Sequence, residues 1–128
     1  MTPPAPPESV VPPGWPAQVR PPGAPGWERS AVGWLSHLCP PDYRGYPVVT
    51  RQPVVLGWLA GHHLDGQVEA TRRALATARA DLSGSVPPPA LRETLEVLEE
   101  ELARLVAAQR ALGLVAQALG GVRFVPRL

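Results

Sequence analysis

The stretch that decides the fold is residues 88–119, PPALRETLEVLEEELARLVAAQRALGLVAQAL. Apolar residues return through it at steps of three and four, with one glutamine among them: Leu91, Leu95, Leu98, Leu102, Leu105, Gln109, Leu112, Ala116 and Leu119. This period places them on one face of an α-helix, in the pattern by which two long helices pack together. Proline suits the first turn of a helix and glycine its end. The sequence therefore predicts a helix from Pro88 to Leu119, stopped by Gly120 and Gly121.

A second long helix is predicted before it, from Pro53 to about Leu82. Its apolar face follows the same alternating steps: Gly61, Leu64, Val68, Thr71, Leu75, Ala78 and Leu82. Ser83, Gly84 and Ser85 stop this helix, and the connection to the next helix is short. A short connection makes consecutive helices antiparallel neighbours. With the turn near Val86, Leu105 comes level with Val68 and Leu119 comes level with Val54.

This register predicts where charged and apolar side chains meet. Three arginines, Arg72, Arg73 and Arg79, come opposite an acidic run on the later helix: Glu93, Glu96, Glu99, Glu100 and Glu101. This run is predicted to be a solvated face, partly paired with the arginines, whose ion pairs set the helix register more than they stabilise the protein. The far end of the helix pair is apolar on more sides than one neighbouring helix covers. Either a short helix around Trp34 folds over this end or another chain covers it, since an exposed surface of that kind normally marks an interface. The predicted interaction surface consists of Val54, Val55, Trp58, Leu59, Leu112, Val115 and Leu119.

The N-terminal third is predicted to contain one short helix. Ser30 is the expected cap, Val32, Trp34, Leu35 and Leu38 form an apolar face, and Pro40 and Pro41 end the helix. The segment from there to the long helix is predicted to be a structured loop or a single turn. Residues 1–26 hold ten of the 18 prolines and are predicted to be a disordered arm.

The predicted fold class is therefore all-α. It consists of a long antiparallel two-helix hairpin with one short additional N-terminal helix, preceded by a disordered proline-rich arm. The predicted divisions are residues 1–26 for the arm and residues 27–128 for the helical domain.

The composition excludes several function classes. All 12 basic residues are arginine, and the net charge is +1, so no overall field draws the chain to nucleic acid or an acidic membrane. The N-terminus lacks the pattern of a secretory signal. The apolar run Leu105 to Val122 is interrupted by polar residues, which argues against a membrane span. Cys39 is the single cysteine, so no intramolecular disulfide can form, and we expect a cytoplasmic protein.

One cluster has residue types that carry chemistry. His62 and Asp65 are three residues apart, the spacing of a ligand pair on a helix, and His63 is adjacent. His37 and Cys39 supply further ligands if the short helix folds over them. The same histidines, His37 or His63, are the available bases for a Cys39 nucleophile. A buried inert thiol is the commoner state of such a cysteine, and the sequence implies no cofactor.

Three parts of the chain resemble known sequences: WERSAVGWLSHLCPPDYRGYPVV at 27–49, RQPVVLGWLAGHHLDGQVEATRRAL at 51–75, and the ending RFVPRL. They are similar to short uncharacterised proteins of high-GC actinobacteria, over residues 27–128. The absence of Lys, Asn and Ile, whose codons are AT-rich, also indicates a high-GC genome. This resemblance implies no activity, cofactor or catalytic residue.

The sequence therefore favours a non-enzymatic helical protein–protein interaction module. Its expected partner is another protein or a second copy of itself, as a homodimer, and not nucleic acid or a membrane. The alternative is a small metal-dependent or nucleotide-acting enzyme that uses His62, His63 and Asp65.

Overall fold

The computed structural model describes residues 10–125, and every regular element in that range is helical. No strand occurs within it, so the predicted all-α class is confirmed. The elements, in chain order, are α1 (Trp27–His37), a 3-10 helix (Pro41–Gly45), α2 (Pro47–Arg51), α3 (Pro53–Leu82) and α4 (Pro88–Leu119). The segment that was predicted to be a loop therefore contains a 3-10 turn and the short helix α2.

The two long helices begin and end at the residues that the sequence predicted. Pro53 and Pro88 each occupy a first helical position, where a missing backbone N–H costs nothing. Beyond the end of α4, Gly121 has a positive φ of 94°, a conformation open to glycine but strained for other residues. There the N–H groups of Gly121 and Val122 donate back to carbonyls of the last helical turn.

Helices α3 and α4 pack against each other through the predicted apolar faces. Leu64 and Leu105 are each 1% exposed and lie at the centre of this contact. A Cβ built on Gly61 would lie 3.6 Å from Leu112 Cδ2, and these two residues come level in the predicted register. The amide Nε2 of Gln109 donates to Asp65 Oδ1 at 2.8 Å. Gln109, the one polar residue of the leucine face, thus forms a hydrogen bond to α3. This bond helps to fix the register of the two helices.

The buried face of α4 widens toward its C-terminal end. Ala116 was expected on this face but is exposed, whereas Ala111, Val115 and Ala118 are buried beside Leu112. This second buried row exists because α4 is covered there by more than α3. Helix α1 lies over this end, with Ala31 and Leu35 both fully buried.

Ser30 was predicted to cap α1, and this prediction is wrong. Gly26, in a left-handed conformation with φ 75°, precedes the first turn instead. Ser30 lies within the helix, where its hydroxyl donates to the carbonyl of Trp27 at 2.7 Å. The same hydroxyl accepts the backbone N–H of Arg20 at 2.9 Å, so it joins the preceding segment to α1.

The predicted disorder of residues 1–26 needs correction over residues 10–26; residues 1–9 lie outside the described range. Val19 is 3% exposed and belongs to the core, and Trp15 packs against that core. The Trp15 indole N–H donates to the Val19 carbonyl at 2.9 Å. The Trp15 ring meets the Phe124 ring edge to face at 5.9 Å between centroids. The segment therefore closes over the end of the helices and joins the two terminal regions of the described chain.

The physical reason is a repeated turn. Proline followed by glycine occurs at 13–14, 22–23 and 25–26, and each of these glycines has a positive φ. Backbone hydrogen bonds close the three turns, with the N–H groups of Trp15, Ala24 and Trp27 donating to carbonyls three residues earlier. This is the geometry of a type II turn, with proline at its second and glycine at its third position. The prolines of this segment therefore form tight turns and do not make the chain disordered.

The predicted cross-helix ion pairs also need correction. Within residues 10–125 the ion pairs join neighbours on one helix: Arg73 with Glu69 at 3.7 Å, and Arg104 with Glu101. The Arg104 guanidinium lowers the pKa of the Glu101 carboxyl below its usual range by hydrogen bonding to it. All four side chains are substantially exposed, so each pair contributes at most about 1 kcal/mol. The acidic run on α4 is a solvated face and does not set the helix register.

Candidate interaction surface

The candidate metal ligands of the sequence do not converge. His62 is exposed and meets the Trp58 ring edge to face, with centroids 4.6 Å apart. The Asp65 carboxylate accepts the hydrogen bond from Gln109. His37 is exposed at the end of α1, and Cys39 is buried beyond it. Between residues 10 and 125, no three His, Cys, Asp or Glu side chains are grouped so as to hold a metal ion.

Cys39 borders a cavity of about 50 Å³ between α1, the 3-10 helix, α2 and the start of α3. Its walls include Val32, Tyr43, Val49 and Leu56. Burial raises the pKa of the Cys39 thiol above its ordinary value, because a thiolate loses hydration there. The neutral thiol is a weak nucleophile, so this site is better suited to packing than to covalent catalysis.

We expect Cys39 to react slowly with iodoacetamide in the folded protein at neutral pH. Its side chain is buried and its thiolate form is disfavoured, so we expect at least about a tenfold faster reaction in urea. Mass spectrometry of timed samples measures both rates, and Cys39→Ser gives the background. Equal rates in folded and unfolded protein would show that the thiol is open to solvent.

The seven residues of the predicted interaction surface differ in exposure. Leu112 is 8% exposed and Val115 is fully buried, so the prediction is wrong for both of them. Leu59 and Leu119 are partly buried and pack against the core, and Val55 is half-buried. The cover comes from α1, which the sequence allowed for, and from residues 10–26, which were predicted to be disordered.

Two residues of that surface remain fully available, Val54 and Trp58, and each is 64% exposed. They are one helical turn apart on α3, and His62 follows one turn later. We call these three residues the Trp58 strip. Val48 and Tyr46, which are 56% and 54% exposed, lie shortly before it in the chain. An indole this exposed is unusual, because burying a large aromatic side chain is strongly favourable.

Gly66 lies on α3 one turn beyond His62. It is exposed, and a Cβ built there meets nothing within 4 Å. Glycine in an exposed helix interior is about 1 kcal/mol less favourable than alanine. Gly57 and Gly61 differ from it, because each lies against a leucine of another helix. Packing within the described chain therefore explains those two glycines. It leaves Gly66 unexplained, as it does the exposed Gly33 of α1 and Gly113 of α4.

Other large apolar side chains are also exposed, at Val10, Val97, Val122 and Val125. Val97 lies on the outer face of α4, and a shallow depression beside it is lined by Ala90, Glu93, Thr94 and Leu98. Single exposed valines are common on protein surfaces. The Trp58 strip differs because it joins an aromatic, an aliphatic and a titratable side chain in successive turns of one helix.

Helix α4 is long enough, and apolar enough over an 18-residue window of mean hydropathy 1.2, to cross a membrane by length and composition alone. A helix in the core of a protein passes the same test. Of that window 28% is buried in the structure, and α4 packs Leu105, Leu112 and Val115 against the other helices.

Comparison of the chain with protein-family models, with curated proteins and with solved structures gives no match. The function must therefore be argued from the geometry of the surface itself.

Proposed function

We propose that the protein is a non-enzymatic helical interaction module that binds a protein partner through the Trp58 strip. The observation that carries the proposal is the 64% exposure of Trp58 beside an equally exposed Val54. Tryptophan is strongly enriched among the residues that dominate binding energy at interfaces. The long antiparallel pair formed by α3 and α4 would present this strip on a rigid support.

The proposal includes a cytoplasmic location, a high-GC actinobacterial source, and no direct contact with a membrane or nucleic acid. The free, buried thiol of Cys39 agrees with a reducing compartment. The arginines are spread along the chain among nearly as many acidic residues, 12 against 11, and this balance argues against binding to phosphates.

The alternative, an enzyme that uses His62, His63 and Asp65, has less support. His62 contacts Trp58 and Asp65 is bonded to Gln109, and the cavity beside Cys39 is not lined by a histidine. A catalytic site normally combines a concave pocket with converging polar groups.

The proposal is tested by placing a photoreactive phenylalanine analogue at position 54 and irradiating cells of the native host. Val54 is exposed and adjoins Trp58, so we expect one dominant crosslinked protein at this position. The matched control carries the same analogue at Val97, which is 56% exposed on the other long helix. We expect no dominant product from the control.

A second variant checks that the indole drives the contact. Trp58→Glu is expected to remove the crosslink at position 54 and to leave circular dichroism unchanged, because the side chain is exposed. An identical crosslink yield in the variant, or equal products at positions 54 and 97, would contradict the proposed function.

A further inference from the structure

We infer that the partner at the Trp58 strip is a second copy of this chain, with the two α3 helices antiparallel across a two-fold axis at the level of Ala60. The inference rests on the proposed function, since it takes the Trp58 strip as the binding surface. It goes further by assigning the occupant and its register. Two-fold dimers are the commonest protein assemblies, and each copy presents the same patch to the other.

The first argument is the order of charges on either side of the strip. Arg51, which is exposed at the end of α2, precedes the strip, and the exposed Glu69 follows it. A two-fold axis at Ala60 brings the start of α3 in each copy level with Gln67 of the other, so that Arg51, two residues before that start, would lie near Glu69. A parallel arrangement would instead set each arginine and each glutamate beside its own counterpart, which is repulsive.

The neighbouring charges do not oppose this pairing. Asp65 accepts its hydrogen bond from Gln109 of the same chain. Arg72 and Arg73 lie beyond Glu69, past the level at which α3 of the second copy begins. The pair between Glu69 and Arg73 is exposed and long, at 3.7 Å, so the Glu69 carboxylate remains able to accept a second arginine.

The second argument is shape. The same axis brings Gly66 of one copy level with Val54 of the other, and the half-buried Val55 is adjacent. The open space beside Gly66 would receive these valine side chains, and any larger residue at position 66 would fill it. Self-association thus gives a reason for a glycine that packing within the chain leaves unexplained.

The third argument concerns the rings at the centre. Trp58 comes level with His62 of the second copy, and each Trp58 already lies edge to face with its own His62. The two copies would form a cluster of four rings around the axis, in which both indoles are buried. A contact between two single helices is small, so the expected dimer is weak and its population depends on concentration.

The test measures the dimer dissociation constant by sedimentation equilibrium for the native chain, Arg51→Glu, Glu69→Arg and the double variant. Each single change sets like charges together twice per dimer, so we expect about three- to tenfold weaker association. The double variant restores opposite charges and is expected to return to within about twofold of the native value. Circular dichroism serves as the folding control, because both positions are exposed.

Gly66→Leu is expected to weaken the dimer at unchanged helical content, since it fills the gap that receives the valines. A native chain that stays monomeric, or a double variant as weak as the single ones, would overturn the self-association. The crosslink at position 54 separates this failure from failure of the proposed function. A crosslink to a different protein would support the interaction surface and contradict self-association. The absence of any crosslinked product would contradict both the proposed function and self-association.

Discussion

Removal of residues 1–26 is expected to destabilise the protein strongly, lowering its thermal midpoint by roughly 10–25 °C. The deletion takes away Val19, which is 3% exposed within the core, and Trp15, which packs against it. Burial of such side chains contributes about 1.5 to 3 kcal/mol each, and their loss also exposes the surface beneath. The composition predicts a disordered arm, and the removal of such an arm would leave the thermal midpoint nearly unchanged. Thermal unfolding followed by circular dichroism measures the difference.

Two single substitutions test whether this segment stabilises the protein through its packed side chains. Val19→Ala is expected to cost about 1 to 3 kcal/mol, because a buried methyl pair is lost from the core. Its matched control is Val10→Ala in the same segment, where the side chain is 42% exposed and the expected change is within about 0.5 kcal/mol. Equal stability of the deletion variant and the full chain would mean that residues 10–26 do not pack as described.

The sequence predicted the long helices well because their signals are local and redundant. The periodic leucines, the prolines at the first turns and Gly120 all specify the same bounds for α4. The high proline content of the N-terminal segment predicts disorder, and this prediction is wrong over residues 10–26. The spacing of its Pro-Gly pairs carried the signal that was missed, since each pair defines a type II turn.

The interaction surface was predictable only in part. Val54 and Trp58 are exposed, as an interaction surface requires, whereas Leu112 and Val115 are buried under parts of the chain that are distant in sequence. The periodicity of a sequence shows that a helix has two apolar faces. It does not show which other segment of the chain packs against each face. The sequence shows Gln109 as the one glutamine in the leucine face of α4, but its hydrogen bond to Asp65 required the structure.

Leu112→Glu is expected to unfold the protein or to lower its stability by about 3 to 5 kcal/mol. Leu112 is 8% exposed, and its Cδ2 would lie 3.6 Å from a Cβ built on Gly61 of α3. A carboxylate at position 112 would therefore be buried against α3 and could not be hydrated. Loss of a buried leucine costs about 2 to 5 kcal/mol, and burial of an unpaired charge adds to this. Marginal protein stability, about 5 to 15 kcal/mol in total, leaves little margin for such a change. Urea unfolding followed by circular dichroism gives the free energy.

A glutamate at an exposed site of the same helix is the control for Leu112→Glu. The comparison shows whether Leu112 belongs to the core or to the binding surface. Val97→Glu adds an equal charge to the same helix at a position that is 56% exposed, and its stability is expected to change by less than about 1 kcal/mol. Trp58→Glu is expected to behave like Val97→Glu in unfolding and to differ from it only in association. If Leu112→Glu stayed as stable as Val97→Glu but lost its partner, the surface at this end of α4 would be open after all. A large loss of stability confined to Leu112→Glu is the result expected of a covered helix end, with binding left to the Trp58 strip.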